Sequence, residues 1–322
     1  MPIRLVALLF SFALTGAGTA QAQSYPSRPI KVVVPFAAGG PQDGIIRMLS
    51  QKAAAGLGQS FVIENKAGAG GLIAADQVAK APADGHVLLM ASGGQVSVAA
   101  AVRSNLSYDP QKDLVAIVQL VDTPMVLVVP DAMPVANLAD FIALAKSKPG
   151  ALTFASTGTG TISHLTGDAF KYAADIDILH VPYKGAAQGL PDLLAGQVNA
   201  MFTSAAAAHG YLSAKRLRAL ALASDVRLPS LPDVPTFAQA GIKGLAIPVW
   251  VGLMAPRGVP PEVVDRLNSE FVKVLKDPAI KQQLQTMGAI VIGSTPAQFA
   301  ATVHEDIARW KQVVARNHLK LD

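Results

Sequence analysis

Short runs rich in β-branched residues alternate with helix-forming stretches along nearly the whole chain, and that alternation constrains the fold more than any other feature. Ile30 to Pro35 reads as a buried strand and Gly44 to Leu57 as the helix after it. Phe61 to Glu64, Gly71 to Ala79 and His86 to Ala91 continue as strand, helix and strand. Strands separated by helices of this length predict βαβ units and a parallel sheet, because parallel neighbours need a long crossover. A second series opens with a strand at Met125 to Val129, stopped by Pro130, and a helix at Leu138 to Lys146 that Asn137 is placed to cap. Leu152 to Ala155, Ile178 to Val181, Val198 to Thr203 and Leu217 to Ala223 follow as strands. The last part is helical. Val264, Leu267, Phe271 and Val274 share one stripe, Asp277-Pro278 marks a stop and a fresh start, and Thr295-Pro296 opens a helix whose Phe299, Val303, Ile307, Trp310 and Val314 share a face.

A chain of 322 residues exceeds what one core usually organises, which predicts two α/β domains. Pro-bounded extended stretches at Val118 to Pro124 and Ile247 to Pro256 look like two crossings between them. The expected division is residues 23–124 with 248–322 as one discontinuous domain and residues 125–247 as the other. Ahead of both, Arg4 precedes the apolar run Leu5 to Leu14 and the small-residue stretch Thr15 to Gln23, with Ala20-Gln21-Ala22 as an A-x-A cleavage site. An apolar core of that length falls short of the ~20 residues a spanning helix needs, so residues 1–22 are expected to be a secretory signal peptide. The chain has no cysteine, so an exported protein of this sequence is stable through its core alone.

Two glycine-rich turns follow strands directly. Phe36-Ala37-Ala38-Gly39-Gly40-Pro41-Gln42-Asp43 comes after the first strand, and Ser156-Thr157-Gly158-Thr159-Gly160-Thr161 comes after Leu152 to Ala155. In open α/β sheets such turns lie at the carboxyl ends of strands, where backbone N–H groups and a helix N-terminus face an incoming anion. Two of them facing each other would hold a carboxylate without any arginine. His164, one turn past the second loop, is a further candidate.

Competing chemistries fail on the same residues. Gly68-Ala69-Gly70-Gly71 invites a dinucleotide fingerprint, but Ile73 occupies the third glycine position, and Ser163 breaks the pattern in the other loop. No G-x-S-x-G elbow, S-x-x-K pair or P-loop is present. The six histidines show no metal-ligand spacing, so neither a metal nor a cofactor is expected. The net charge of +5 is mild, and Lys215-Arg216-Leu217-Arg218 is its densest basic group. Without aromatic interleaving it reads as a solvated element end, and no nucleic-acid partner is expected.

Longer stretches carry a resemblance. Tyr25-Pro26-Ser27-Arg28-Pro29-Ile30, leading into Val33-Val34-Pro35-Phe36 and Gly39-Gly40-x-x-Asp43, resembles the mature start of the tripartite tricarboxylate transporter receptor family, also called the Bug family. The likeness continues through Val62-Ile63-Glu64-Asn65-Lys66, Ala83-Asp84-Gly85, His180-Val181-Pro182-Tyr183-Lys184-Gly185, Asp192-Leu193-Leu194-Ala195-Gly196-Gln197, Leu231-Pro232-Asp233-Val234-Pro235-Thr236 and Trp250-x-Gly252-Leu253-x-Ala255-Pro256. It implies a monomeric periplasmic receptor of type II-like binding-protein fold, two domains closing like a flytrap on a ligand cleft between them. Such a receptor catalyses nothing. It captures a small carboxylate (a dicarboxylate, tricarboxylate or aromatic acid) and delivers it by transient contact to membrane transporter subunits. The family's ligand contacts, carried over, fall on Phe36, Ala37, Ala38, Gly39 and Gly40 with Asp43, and on Ser156, Thr157, Gly158, Thr159, Gly160 and Thr161. Ser92, Thr203 and Ser204 fall where the cleft is lined. The plain segment Thr203-Ser204-Ala205-Ala206-Ala207-Ala208 departs from commoner members and suggests extra room. A sensory binding protein and an exported enzyme acting on a carboxylate remain the alternatives.

Overall fold

The computed structural model describes residues 25–103, 105–247 and 249–317. The expected signal peptide lies outside them. The chain begins with β1 (Ile30–Val34), α1 (Pro41–Leu57), β2 (Phe61–Asn65), α2 (Leu72–Ala79) and β3 (Val87–Ser92). A π-turn at Gly94–Val98 then runs into α3 (Ala99–Val102), and β4 (Leu114–Asp122) and β5 (Met125–Pro130) follow. Next come α4 (Leu138–Ser147), β6 (Thr153–Ser156), α5 (Ile162–Ala174), β7 (Leu179–Pro182), α6 (Ala186–Leu194), β8 (Ala200–Ser204), α7 (Ala205–Ser213) and β9 (Leu217–Ala223). The chain returns through β10 (Trp250–Pro256), α8 (Pro261–Leu275), α9 (Pro278–Thr286), β11 (Ile290–Val291) and α10 (Pro296–Asn317).

The strands form two sheets, ordered β11-β4-β10-β3-β1-β2 and β7-β6-β8-β5-β9. Parallel pairing holds for β1 with β2 and β3, and for β6 with β7 and β8. Both sheets are nevertheless mixed, since β10 runs antiparallel to β3 and β4, and β5 antiparallel to β8 and β9. β5 and β10 are the strands that follow a crossing, and β11, at the edge of the first sheet, also runs antiparallel to its neighbour β4. Each crossing delivers the chain to the edge of the next lobe facing the other, so the strand entered there must run away from that edge. Alternation of strand and helix says nothing about such entries, so the βαβ pattern predicted the parallel pairs and not the antiparallel ones.

Local chemistry accounts for the helices. Pro41 opens α1 with its fixed φ, Gly58 in the left-handed region closes it with its N–H on the Ala54 carbonyl at 2.9 Å, and Ile45, Ile46, Leu49 and Ala53 face the core. Asn137 accepts the Asp140 N–H at 3.0 Å at the start of α4, as its position predicts. Asp277 caps α9, and Thr295 accepts the Gln298 N–H at 3.2 Å ahead of α10. Phe299, Val303, Ile307 and Trp310 of α10 are buried. Each such side chain contributes about 1.5 to 3 kcal/mol by leaving water. Trp310 and Val98 pack into the core cluster of the second sheet, so the two lobes share apolar contact beside the crossings. Trp250 Nε1 donates to Asp306 Oδ2 at 2.8 Å, fixing α10 against β10. No helix among the described residues is long and apolar enough to cross a membrane.

Candidate ligand-binding site

Between the sheets lies a cleft that encloses about 690 Å3 of space, its open mouth included. The lobes come close on either side of it. A β-carbon on Gly93 would stand 2.8 Å from Ile162 Cδ1, and one on Gly70 would stand 3.8 Å from the Thr159 carbonyl oxygen. Phe36, Ala37, Gly40 and Ser92 line the first-lobe wall, and Thr157, Thr161, Thr203 and Ser204 line the second. The two loops and the strand ends singled out in the sequence therefore meet on one cavity.

Four helices aim their N-termini at this space. Gly40, Pro41 and Gln42 bring in α1; Thr161, Ile162 and Ser163 bring in α5; Gly185, Ala186 and Ala187 bring in α6; and Ser204 brings in α7. The first-turn N–H groups of any helix lack intrahelical partners, and the aligned peptide dipoles place partial positive charge there. Thr161 and Ser204 cap their helices with side-chain oxygens, whereas Gly40 and Gly185 offer no side-chain cap. Gly185 sits at φ 125°, a conformation glycine alone adopts without strain, and its missing side chain leaves the α6 terminus open to the cleft. The α6 contribution was not singled out in the sequence, and Ser204 was expected in the lining without its role as the α7 cap. Their signal was a strand followed at once by Gly185-Ala186-Ala187, and by Ser204 ahead of four alanines.

Among the described residues, none that lines the cleft carries a charged side chain. Thr203 Oγ1 is buried there without a hydrogen-bond partner. A buried hydroxyl in that condition is costly, which suits a ligand or water as its natural partner. The run Ala205 to Ala208 does not widen the cavity: it is the first turn of α7, with Ala205 and Ala208 packed into the second lobe's core.

Other expected residues stand behind the lining. Asp43, 4 % exposed, accepts the Gly39 N–H at 3.0 Å, the Asn65 Nδ2–H at 2.9 Å and the Arg47 Nε–H at 2.9 Å. Burial alone would push its carboxyl up, but those hydrogen bonds and the Arg47 charge hold it below the usual carboxylate range. Asn65 Nδ2 also donates to the Phe36 carbonyl at 3.1 Å, so the pair pins both ends of the Phe36–Gly40 turn. Ala38 and Gly39 belong to that turn without lining the cleft. Gly158 and Thr159 line an adjoining hollow at the mouth. Gly160 donates its N–H to His164 Nδ1 at 3.1 Å.

Beneath the second loop, His164 and His180 stack with ring centres 3.8 Å apart. His164 Nε2 lies 3.2 Å from Asp168, and His180 Nε2 lies 2.7 Å from Ser156 Oγ. Burial, with the neighbouring His164 and Lys171 charges, pushes the His180 imidazole down to about 4. The Ser156–His180 contact has the spacing of a nucleophile and its base, yet Ser156 is fully buried and does not line the cleft. Its hydroxyl accepts the Gly158 N–H at 3.1 Å, which makes it a strut for the loop.

Comparison with known proteins bears on this cavity. Residues 45–319 match the profile described as Tripartite tricarboxylate transporter family receptor. The UPF0065 protein in the tcbD-tcbE intergenic region of a Pseudomonas species is 39 % identical over 297 residues, 92 % of this chain and 88 % of that protein. An R. palustris protein solved with adipate superposes with a TM-score of 0.89 at 34 % identity, covering 92 % of this chain and 99 % of that one. MatC from Rhodopseudomonas palustris, solved with bound malate, gives 0.85 at 35 % identity, covering 90 % and 100 % respectively.

Proposed function

Because this chain belongs to the tripartite tricarboxylate transporter receptor family, whose members are periplasmic solute-binding receptors, we propose that its cleft captures one small carboxylate and presents it to membrane transporter subunits by transient contact, as a monomer. The observation that carries the reading is the convergence of four helix N-termini from both lobes on a cavity with no charged side chain in its wall. One such terminus contributes about 0.3 to 1 kcal/mol to holding an anion, and up to ~2 kcal/mol when partly buried. Hydrogen bonds to a charged acceptor add roughly 1.5 to 3 kcal/mol each. Several together suffice for micromolar affinity, about 8 kcal/mol. The malate- and adipate-bound relatives support a small dicarboxylate as the solute class.

Residues 1–22 act as the export signal in this reading. The closing bodies are residues 23–124 with 248–322, and residues 125–247. Catalysis has no place in it, since the serine paired with a histidine among the described residues, Ser156 with His180, sits behind the loop and outside the cleft wall. A thermal-shift screen of carboxylic acids tests the reading. An acid at 100 times its dissociation constant stabilises by about 2.7 kcal/mol. A screen of linear, branched and aromatic acids that produced no shift would remove the reading.

A further inference from the structure

The cleft continues into a second hollow at its mouth. The two share Phe36, Gly70 and Thr157, so a ligand can extend from one to the other. Their chemistry differs sharply. Among the described residues, the inner wall holds no charged one, whereas the outer hollow is lined by Arg103 and Lys184 and by no acidic residue. Arg103 follows α3 in the first lobe, and Lys184 lies between β7 and the Gly185 cap of α6 in the second. Among the described residues neither cation takes part in an ion pair.

Arg103 comes from the first lobe and Lys184 from the second, so an anion held in the hollow they line meets a cation from each. We propose that the outer hollow is a distal anion subsite in which Arg103 and Lys184 select doubly charged ligands. The proposal rests on the carboxylate reading of the inner cleft and narrows it. One carboxylate sits at the helix N-termini, and the uncharged middle of a linear ligand passes Phe36. The second carboxylate then emerges between the guanidinium and the ammonium. It is attracted by a cation from each lobe, so a dianion has extra affinity for the approached lobes and a monoanion does not. Arg103 accepts a planar, bidentate carboxylate and Lys184 acts as a point charge, so a terminal carboxylate suits the pair better than a spherical anion.

Calorimetric titration of linear diacids, from succinate to suberate, against the monoacids of equal length tests this on the wild type, Arg103→Gln, Lys184→Gln and the double variant. The best diacid is expected to weaken about tenfold in each single variant, while its monoacid stays within about twofold, and the preference for the diacid disappears in the double variant. Wild-type affinity for the diacid also falls more steeply with salt than affinity for the monoacid. A double variant that keeps its diacid affinity, or loses monoacid affinity equally, overturns the subsite and leaves the inner cleft standing. A wild type that binds none of these acids overturns both.

Discussion

The Thr123 N–H donates to the Val249 carbonyl at 2.8 Å, joining the segment that leaves the first sheet to the segment that returns to it. On either side of this bond the chain changes sheets, between β4 and β5 and between β9 and β10. Two short crossings that hold each other permit rigid-body closure with little internal rearrangement. Small-angle scattering is therefore expected to show a smaller radius of gyration with ligand than without. A profile unchanged at saturation contradicts a closing cleft.

Thr203→Val separates binding from folding. The hydroxyl has no partner, so replacing it with a methyl group of similar shape should leave thermal stability unchanged or raise it. Ligand affinity should fall about fivefold to tenfold, the worth of one hydrogen bond of about 1 to 1.5 kcal/mol. Unchanged affinity would mean that the ligand does not use this hydroxyl.

Asp43→Asn acts on the first loop from behind. The variant gives up the charge that Arg47 and the Gly39 N–H share, while Asn65 keeps its bond to the Phe36 carbonyl. Expected are a loss of about 1 to 2 kcal/mol in stability and weaker binding, although Asp43 is not in the cavity wall. Chemical denaturation measures the first and calorimetry the second. Equal stability of the two proteins would rule out the strut.

Much of this arrangement was legible from residue order. The Ile30–Pro35 run, the Asn137 cap and the Thr295-Pro296 start correspond to elements within a residue or two, because β-branched runs, capping side chains and proline act locally. The two glycine loops and Thr203-Ser204 do meet on one cavity. What the order of residues hid was non-local. Val118 to Pro124 and Ile247 to Pro256 read as crossings, yet most of each is strand inside the first sheet, and strand direction depends on where the chain enters a lobe. Nor did the order of residues show the partners of Asp43, since Gly39, Arg47 and Asn65 are brought together only by the fold. Arg103 stood out in no motif, since its position opposite Lys184 exists only once the lobes are assembled.

The stacked histidines give the protein an acid-sensitive element. His180 titrates near 4, below the ordinary value of 6.5, and His164 is lowered too, chiefly by burial and against the pull of Asp168. Folding thus favours the neutral imidazoles, and the unfolded chain binds more protons between pH 6.5 and 4. Stability falls as pH drops through that window and is retained above it. Melting curves of wild type and His180→Gln should diverge in how much each loses between neutral pH and the bottom of the window, with the variant losing less. Parallel losses would show that the pair does not control acid stability.

A carboxylate receptor of this design must recognise negative charge at its helix N-termini. Calorimetric titration with adipate, its neutral diamide and its 2-amino counterpart tests this directly. The cleft wall has no carboxylate to receive an ammonium group, and burying one unpaired costs several kcal/mol. Adipate is predicted to bind one per chain, the diamide not measurably, and the amino diacid at least about tenfold more weakly. A diamide that binds as well as the acid, or an amino diacid that binds at least as tightly, would contradict it.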